Sequence, residues 1–168
     1  FTNSKYAISV SSCTAGLQLA LFNFGIGKGD EVIVPSQTHV ATAHSVELNG
    51  AKPIFVDCNL LDGNINTQLI EKKINVRTKA IVVVHFIGLP VFMKEILKIS
   101  KKYNLKVIED CATALGTYIK GRHVGNFGDC GVFSFYPVKH ITTGEGGVVT
   151  TNSYKLFNRL RLYANDIT

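Results

Sequence analysis

Strand-like and helix-like stretches take turns along this chain, and that order narrows its fold more than any other feature. Apolar, β-branched runs recur at Glu31–Pro35 (EVIVP), Pro53–Asp57 (PIFVD), Ala80–Phe86 (AIVVVHF), Lys106–Glu109 (KVIE), Gly131–Phe135 (GVFSF) and Gly147–Thr151 (GVVTT). Several are continuously apolar, as strands buried on both faces must be. Before, between and after them, helical spacing marks Thr14–Phe24, Ala41–Leu48, Thr67–Ile74, Phe92–Tyr103 and Tyr154–Tyr163. The alternation predicts a three-layer α/β/α domain with a mostly parallel sheet, whose ligand site lies at the carboxyl ends of the strands. With 168 residues, 46% of them hydrophobic and 18% charged, the chain suffices for one domain with one core. The Gly25–Gly29 cluster follows a helix and precedes a strand, the reverse of a dinucleotide fingerprint, and reads as a helix stop and turn.

Composition removes several function classes. No apolar run of about 18 residues or more could span a membrane, and the N-terminal FTNSKYAISV lacks a signal-peptide layout, so the expectation is a soluble, cytoplasmic protein. The net charge of +6 comes from 18 basic against 12 acidic residues. The lysines on expected helix surfaces, such as Lys72, Lys73, Lys98 and Lys101, are not interleaved with aromatics, which argues against nucleic acid and suits a phosphorylated small molecule equally well. Cys13, Cys58, Cys111 and Cys130 form no CxxC pair, so they read as reduced thiols, and no metal is expected.

Three stretches fall where the ligand site should be. Ser11–Ala15 (SSCTA) follows the short apolar run Ala7–Val10 and opens a helix, offering free N–H groups and a hydroxyl to a phosphate, or simply an N-cap. Asp110 ends the KVIE run and either faces a ligand or caps the next turn. The third stretch, SFYPVKHITTGEGG from Ser134 to Gly147, delivers Lys139 from an apolar strand into a loop of threonines and glycines. An unpaired lysine in a core is costly because its charge must be desolvated or lost, and function often explains such a cost. A phosphate cradle, a carboxylate and an amine together meet the needs of pyridoxal 5'-phosphate: an amine to bond its aldehyde, an anion to keep its ring nitrogen protonated, and donors for its phosphate.

The strings SSCTAGLQLAL, GKGDEVIVPS, RTKAIVVVHF, VIEDCATALGTYIKGRHVGNFGD and FSFYPVKHITTGEGG resemble, in order, the DegT-type (DegT/StrS) nucleotide-sugar aminotransferases, a fold-type-I pyridoxal-phosphate family. The resemblance implies the large domain of that fold. It implies Lys139 as the cofactor-bonded lysine and proton carrier, and Asp110 as the partner of the ring nitrogen. Cys13, Thr14, Ala15 and Ser134 would surround the phosphate, and His39 would stack on the ring where relatives carry an aromatic residue. Thr113 stands where the family presents Gln or His to the cofactor's phenolic oxygen; a threonine reaches less far and cannot supply a cation, which implies weaker cofactor retention. Cys111 reads as a small core residue rather than a second nucleophile. His85 could line the substrate pocket or be a satisfied core histidine; His44 and His123 read as structural or surface residues.

Relatives with histidine at the lysine position perform dehydration, but here His140 follows Lys139 and does not replace it. The implied reaction is therefore transamination, from glutamate or a similar amino-acid donor to a keto-sugar on a nucleoside diphosphate, in a homodimer. By the same resemblance, residues 1–168 form one cofactor-binding large domain, without the family's N-terminal lead-in and without the small domain that follows a helix ending near Asp166. Two other readings stay open: a truncated, inactive domain or subunit, and another enzyme of the same fold, such as a lyase or aldolase.

Overall fold

A computed structural model describes residues 1–165. The strands are β1 (Tyr6–Val10), β2 (Glu31–Pro35), β3 (Lys52–Val56), β4 (Thr78–Val84), β5 (Lys106–Asp110), β6 (Tyr118–Ile119), β7 (Arg122–His123), β8 (Cys130–Ser134) and β9 (Gly147–Thr151). The helices are α1 (Cys13–Asn23), α2 (Val40–Glu47), α3 (Thr67–Ile70), α4 (Met93–Tyr103) and α5 (Tyr154–Asn165). The expected helix end near Asp166 lies outside the described residues. Seven strands form one sheet in the order β1-β9-β8-β5-β4-β2-β3. From β8 to β3 all neighbours are parallel, while β9 runs antiparallel to both β8 and β1. The mostly parallel sheet expected from the sequence is present.

Period-two alternation within the strands divides the core between the two faces. Val32, Val34, Val82 and Ile108 join Leu17, Leu21, Val46 and Leu160 of α1, α2 and α5. Their neighbours Ile33, Ile81, Val83 and Val107 join Ile70, Met93, Ile96 and Ile99 of α3 and α4. The outer face of α4 carries Lys94, Lys98, Lys101 and Lys102, and the helix stops at Asn104, whose left-handed φ of 52° lets its N–H return to the Ser100 carbonyl.

Three segments differ from the sequence reading. The strand expected to reach Phe86 ends at Val84, because Phe86–Gly88 turns as 3-10 with both Ile87 and Gly88 in left-handed conformations. The helix expected over Thr67–Ile74 is one α-turn continued by a 3-10 turn at Glu71–Lys73. The hairpin β6–β7 was not expected; its two-residue turn, Lys120-Gly121, has positive φ at both positions, as a tight hairpin requires, but lacks the Asn-Gly or Asp-Gly wording that announces one.

Candidate active site

The carboxyl ends of β5 and β8 and the start of α1 converge at one edge of the sheet, around a cavity of about 400 Å³. Its wall includes Ser12, Cys13, Thr14, His39, Asp110, Ser134 and Lys139. At α1, Ser12 is the N-cap and its Oγ accepts from the Ala15 N–H at 3.1 Å. The N–H groups of Cys13 and Thr14 have no acceptor within the helix, as in any first turn, and that turn carries no acidic residue. The strand beginning at Gly147 passes so close that a Cβ there would lie 2.8 Å from the Cys13 nitrogen and 2.7 Å from the Ser12 carbonyl carbon. Only glycine lets β9 start directly against this helix end.

Asp110, 5% exposed, ends β5. Its Oδ1 accepts from the Ala112 N–H at 3.1 Å, and its Oδ2 accepts from the Thr42 hydroxyl at 2.9 Å. Burial pushes its carboxyl above the ordinary range, against the opposing pull of those two donors and of the Lys139 ammonium. The Cys13 Sγ lies 3.8 Å from Oδ1, and burial together with the Asp110 charge pushes that thiol well up, so it stands as a neutral thiol.

Lys139 lies in the loop between β8 and β9. The threonines of that loop bond its own backbone: Thr142 Oγ1 donates to the Phe135 carbonyl at 2.8 Å and Thr143 Oγ1 to the Glu145 carbonyl at 2.6 Å. The loop is closed by the Phe135 N–H to Gly146 at 2.9 Å and the Thr143 N–H to Phe135 at 3.1 Å. This lattice holds a half-buried Lys139 whose amine has no ion pair or hydrogen bond among the described residues. Ser134 Oγ accepts from the Tyr136 N–H at 3.3 Å, and His39 Nδ1 caps α2 through the Ala41 N–H at 3.2 Å.

Two of the sequence-selected residues do not line the cavity. The Ala15 N–H is engaged by the Ser12 cap, and Thr113 Oγ1 donates to the His85 carbonyl at 3.3 Å. His85 is a satisfied core histidine: Nδ1 accepts from the Val91 N–H at 3.1 Å, which puts the proton on Nε2, 3.0 Å from Glu109 Oε2. Glu109 also accepts from the N–H groups of Gly125, Phe127 and Gly128 at 2.7–2.8 Å, pinning that loop beneath the sheet edge. His123 is buried, its Nε2 accepting from the Gly116 N–H at 2.9 Å, and His44 is exposed on α2. His85, Glu109 and Cys111 are near enough to share an ion, but the ligating atoms of the first two are already engaged by these hydrogen bonds.

Of the two readings of Ser11–Ala15, the N-cap one is met by Ser12, whereas sequence reasoning missed the support that Thr42 gives Asp110. No local pattern signals that support: Thr38 precedes α2, whose N-cap is His39, and Asp110 lies 68 residues beyond Thr42.

The chain belongs to the DegT/DnrJ/EryC1/StrS aminotransferase family, whose family model matches residues 1–166. It is 48% identical to GDP-perosamine synthase of Escherichia coli O157:H7 over 155 residues, 92% of this chain and 43% of that protein. It resembles the aminotransferase from Psychrobacter cryohalolentis, with 45% identity and a TM-score of 0.94 over 96% of this chain and 41% of that one. DesV of S. venezuelae, in complex with a ketimine intermediate, gives 38% identity and a TM-score of 0.94 over 98% and 44% of the two chains. The chain therefore spans about two-fifths of the length of these relatives. No helix of the described residues is long and apolar enough to cross a membrane.

Proposed function

We propose that this chain carries the pyridoxal-phosphate site of an aminotransferase that moves an amino group from glutamate, or a similar donor, to a keto-sugar on a nucleoside diphosphate. The observation that carries the reading is the meeting, on one cavity, of an amine without a partner among the described residues, a buried carboxylate and the open N-terminus of α1. These residues fit the cofactor by charge: the amine suits its aldehyde, Asp110 its pyridinium nitrogen, and the Cys13 and Thr14 N–H groups with the hydroxyls of Thr14 and Ser134 its phosphate. When bound, the cofactor supplies an electron sink for the carbon that gains or loses the amino group. Lys139 would hold the cofactor covalently and then, as a free amine, take and return a proton at Nζ. Asp110 would keep its charge opposite the ring nitrogen, and the cavity walls would hold the reacting groups in place.

GDP-perosamine synthase among the similar proteins supports a nucleotide-sugar acceptor. The reading includes a second copy of the chain closing the cavity, whose wall includes the exposed Tyr136, with Val138 and Ile141 also exposed in the Lys139 loop. The test is a half-reaction. Loaded with pyridoxal phosphate and given glutamate alone, the protein should release about one equivalent of 2-oxoglutarate and stop until a keto-sugar nucleotide is added. Continuous release of a cleaved or decarboxylated product, or inertness toward every amino donor, would sink the reading.

A further inference from the structure

Thr42 is fully buried in α2 and does not line the cavity, yet its Oγ1 donates to Asp110 Oδ2 at 2.9 Å. A hydroxyl has one proton, so a Thr42 that donates to the ionised carboxylate must accept from its other neighbour. That neighbour is the Thr38 hydroxyl, 2.8 Å away. The direction Thr38 to Thr42 to Asp110 is thereby fixed whenever Asp110 is charged. Were Asp110 protonated, both hydroxyls could reverse without moving a heavy atom. Donors meet both carboxylate oxygens, since the Ala112 N–H and the Cys13 thiol face Oδ1.

We propose that Thr38 and Thr42 form a positioning relay that holds Asp110 ionised and in one orientation toward the cavity, and so sets how firmly a protonated ring nitrogen is held. The proposal rests on the reading of the cavity as a pyridoxal-phosphate site. The titratable groups facing Asp110 from neighbouring elements are Cys13 on α1, His85 after β4, Cys111 beside it in the chain and Lys139 in the β8–β9 loop. None of them changes in the variants below, so a difference between variants belongs to the hydroxyls.

The test compares Thr42→Val and Thr42→Ser with the parent protein, first without cofactor and then with pyridoxal phosphate. Valine removes a donor that favours the charged carboxylate, so the folded form resists ionising Asp110 still more. The deficit in melting temperature of Thr42→Val should therefore widen as pH rises through the titration of Asp110, while Thr42→Ser follows the parent. With cofactor, absorbance titration should give Thr42→Val an affinity lower by roughly ten- to a hundred-fold, the scale of a hydrogen bond to a charged group, with Thr42→Ser restoring most of it. A deficit independent of pH, a serine variant that behaves like valine, or a valine variant within twofold of the parent's affinity would each overturn the relay. A parent protein that binds no pyridoxal phosphate would instead overturn the reading of the cavity, and the cofactor-free comparison would then decide the relay alone.

Discussion

At Asp110 a carboxylate is 5% exposed under a cavity, with two donors at 2.9 and 3.1 Å, and burial still outweighs them in setting its protonation. The unfolded chain, with this carboxyl near its ordinary value of 3.8, loses the proton at lower pH than the folded chain does. Between those two values the folded state holds more protons, so this group's contribution to stability falls as pH rises through that window. Asp110→Asn removes the charge that burial opposes. In thermal melts without cofactor, Asp110→Asn should gain on the parent as pH rises above 3.8 and stand no lower than the parent at neutral pH. Its affinity for pyridoxal phosphate should fall about tenfold or more. Parallel melting curves across pH for the two proteins would contradict the assignment. The site thus keeps a charge that the fold alone would do better without, a common pattern where function sets a side chain.

The element that aims Asp110 is β5, and its neighbour Glu109 points into a different network. Glu109 accepts from three backbone N–H groups of residues 125–128 and from His85, so one carboxylate ties the loop before β8 to the ends of β4 and β5. An amide at this position offers one acceptor oxygen and presents its own N–H protons to donors. Glu109→Gln should therefore cost about 3 kcal/mol, measured as a lower denaturant midpoint with an unchanged slope. A loss below about 0.5 kcal/mol, the level of an ordinary surface change, would show that the loop is held by other contacts. Cofactor affinity should weaken with it, because β8 and the Lys139 loop follow from that segment.

Across the whole molecule, the strand and helix order was legible because buried parallel strands leave little freedom. Glu31–Pro35 and Gly147–Thr151 fold over the expected residues, and the Val32/Ile33/Val34 alternation feeds both faces of the sheet. The convergence of Lys139, Asp110, Cys13 and Thr14 on one cavity followed from strand-end placement. What the sequence left hidden depends on contacts distant in the chain. The Lys120-Gly121 turn forms without the usual wording, the His85 carbonyl takes the Thr113 hydroxyl, and the Thr42 hydroxyl meets a carboxylate 68 residues further on. Such pairings depend on register between strands and helices, which local periodicity does not report.

The most direct test of the central claim is to incubate the protein with pyridoxal phosphate, reduce with borohydride, digest, and locate the modified lysine by mass spectrometry. The lysine-rich surface supplies internal competitors, since the chain has 18 basic residues and most of its lysines are exposed. The account predicts a pyridoxyl group concentrated on Lys139, and little label at that peptide in Lys139→Ala. Label scattered over the surface lysines in proportion to exposure, with no preference for Lys139, would contradict it.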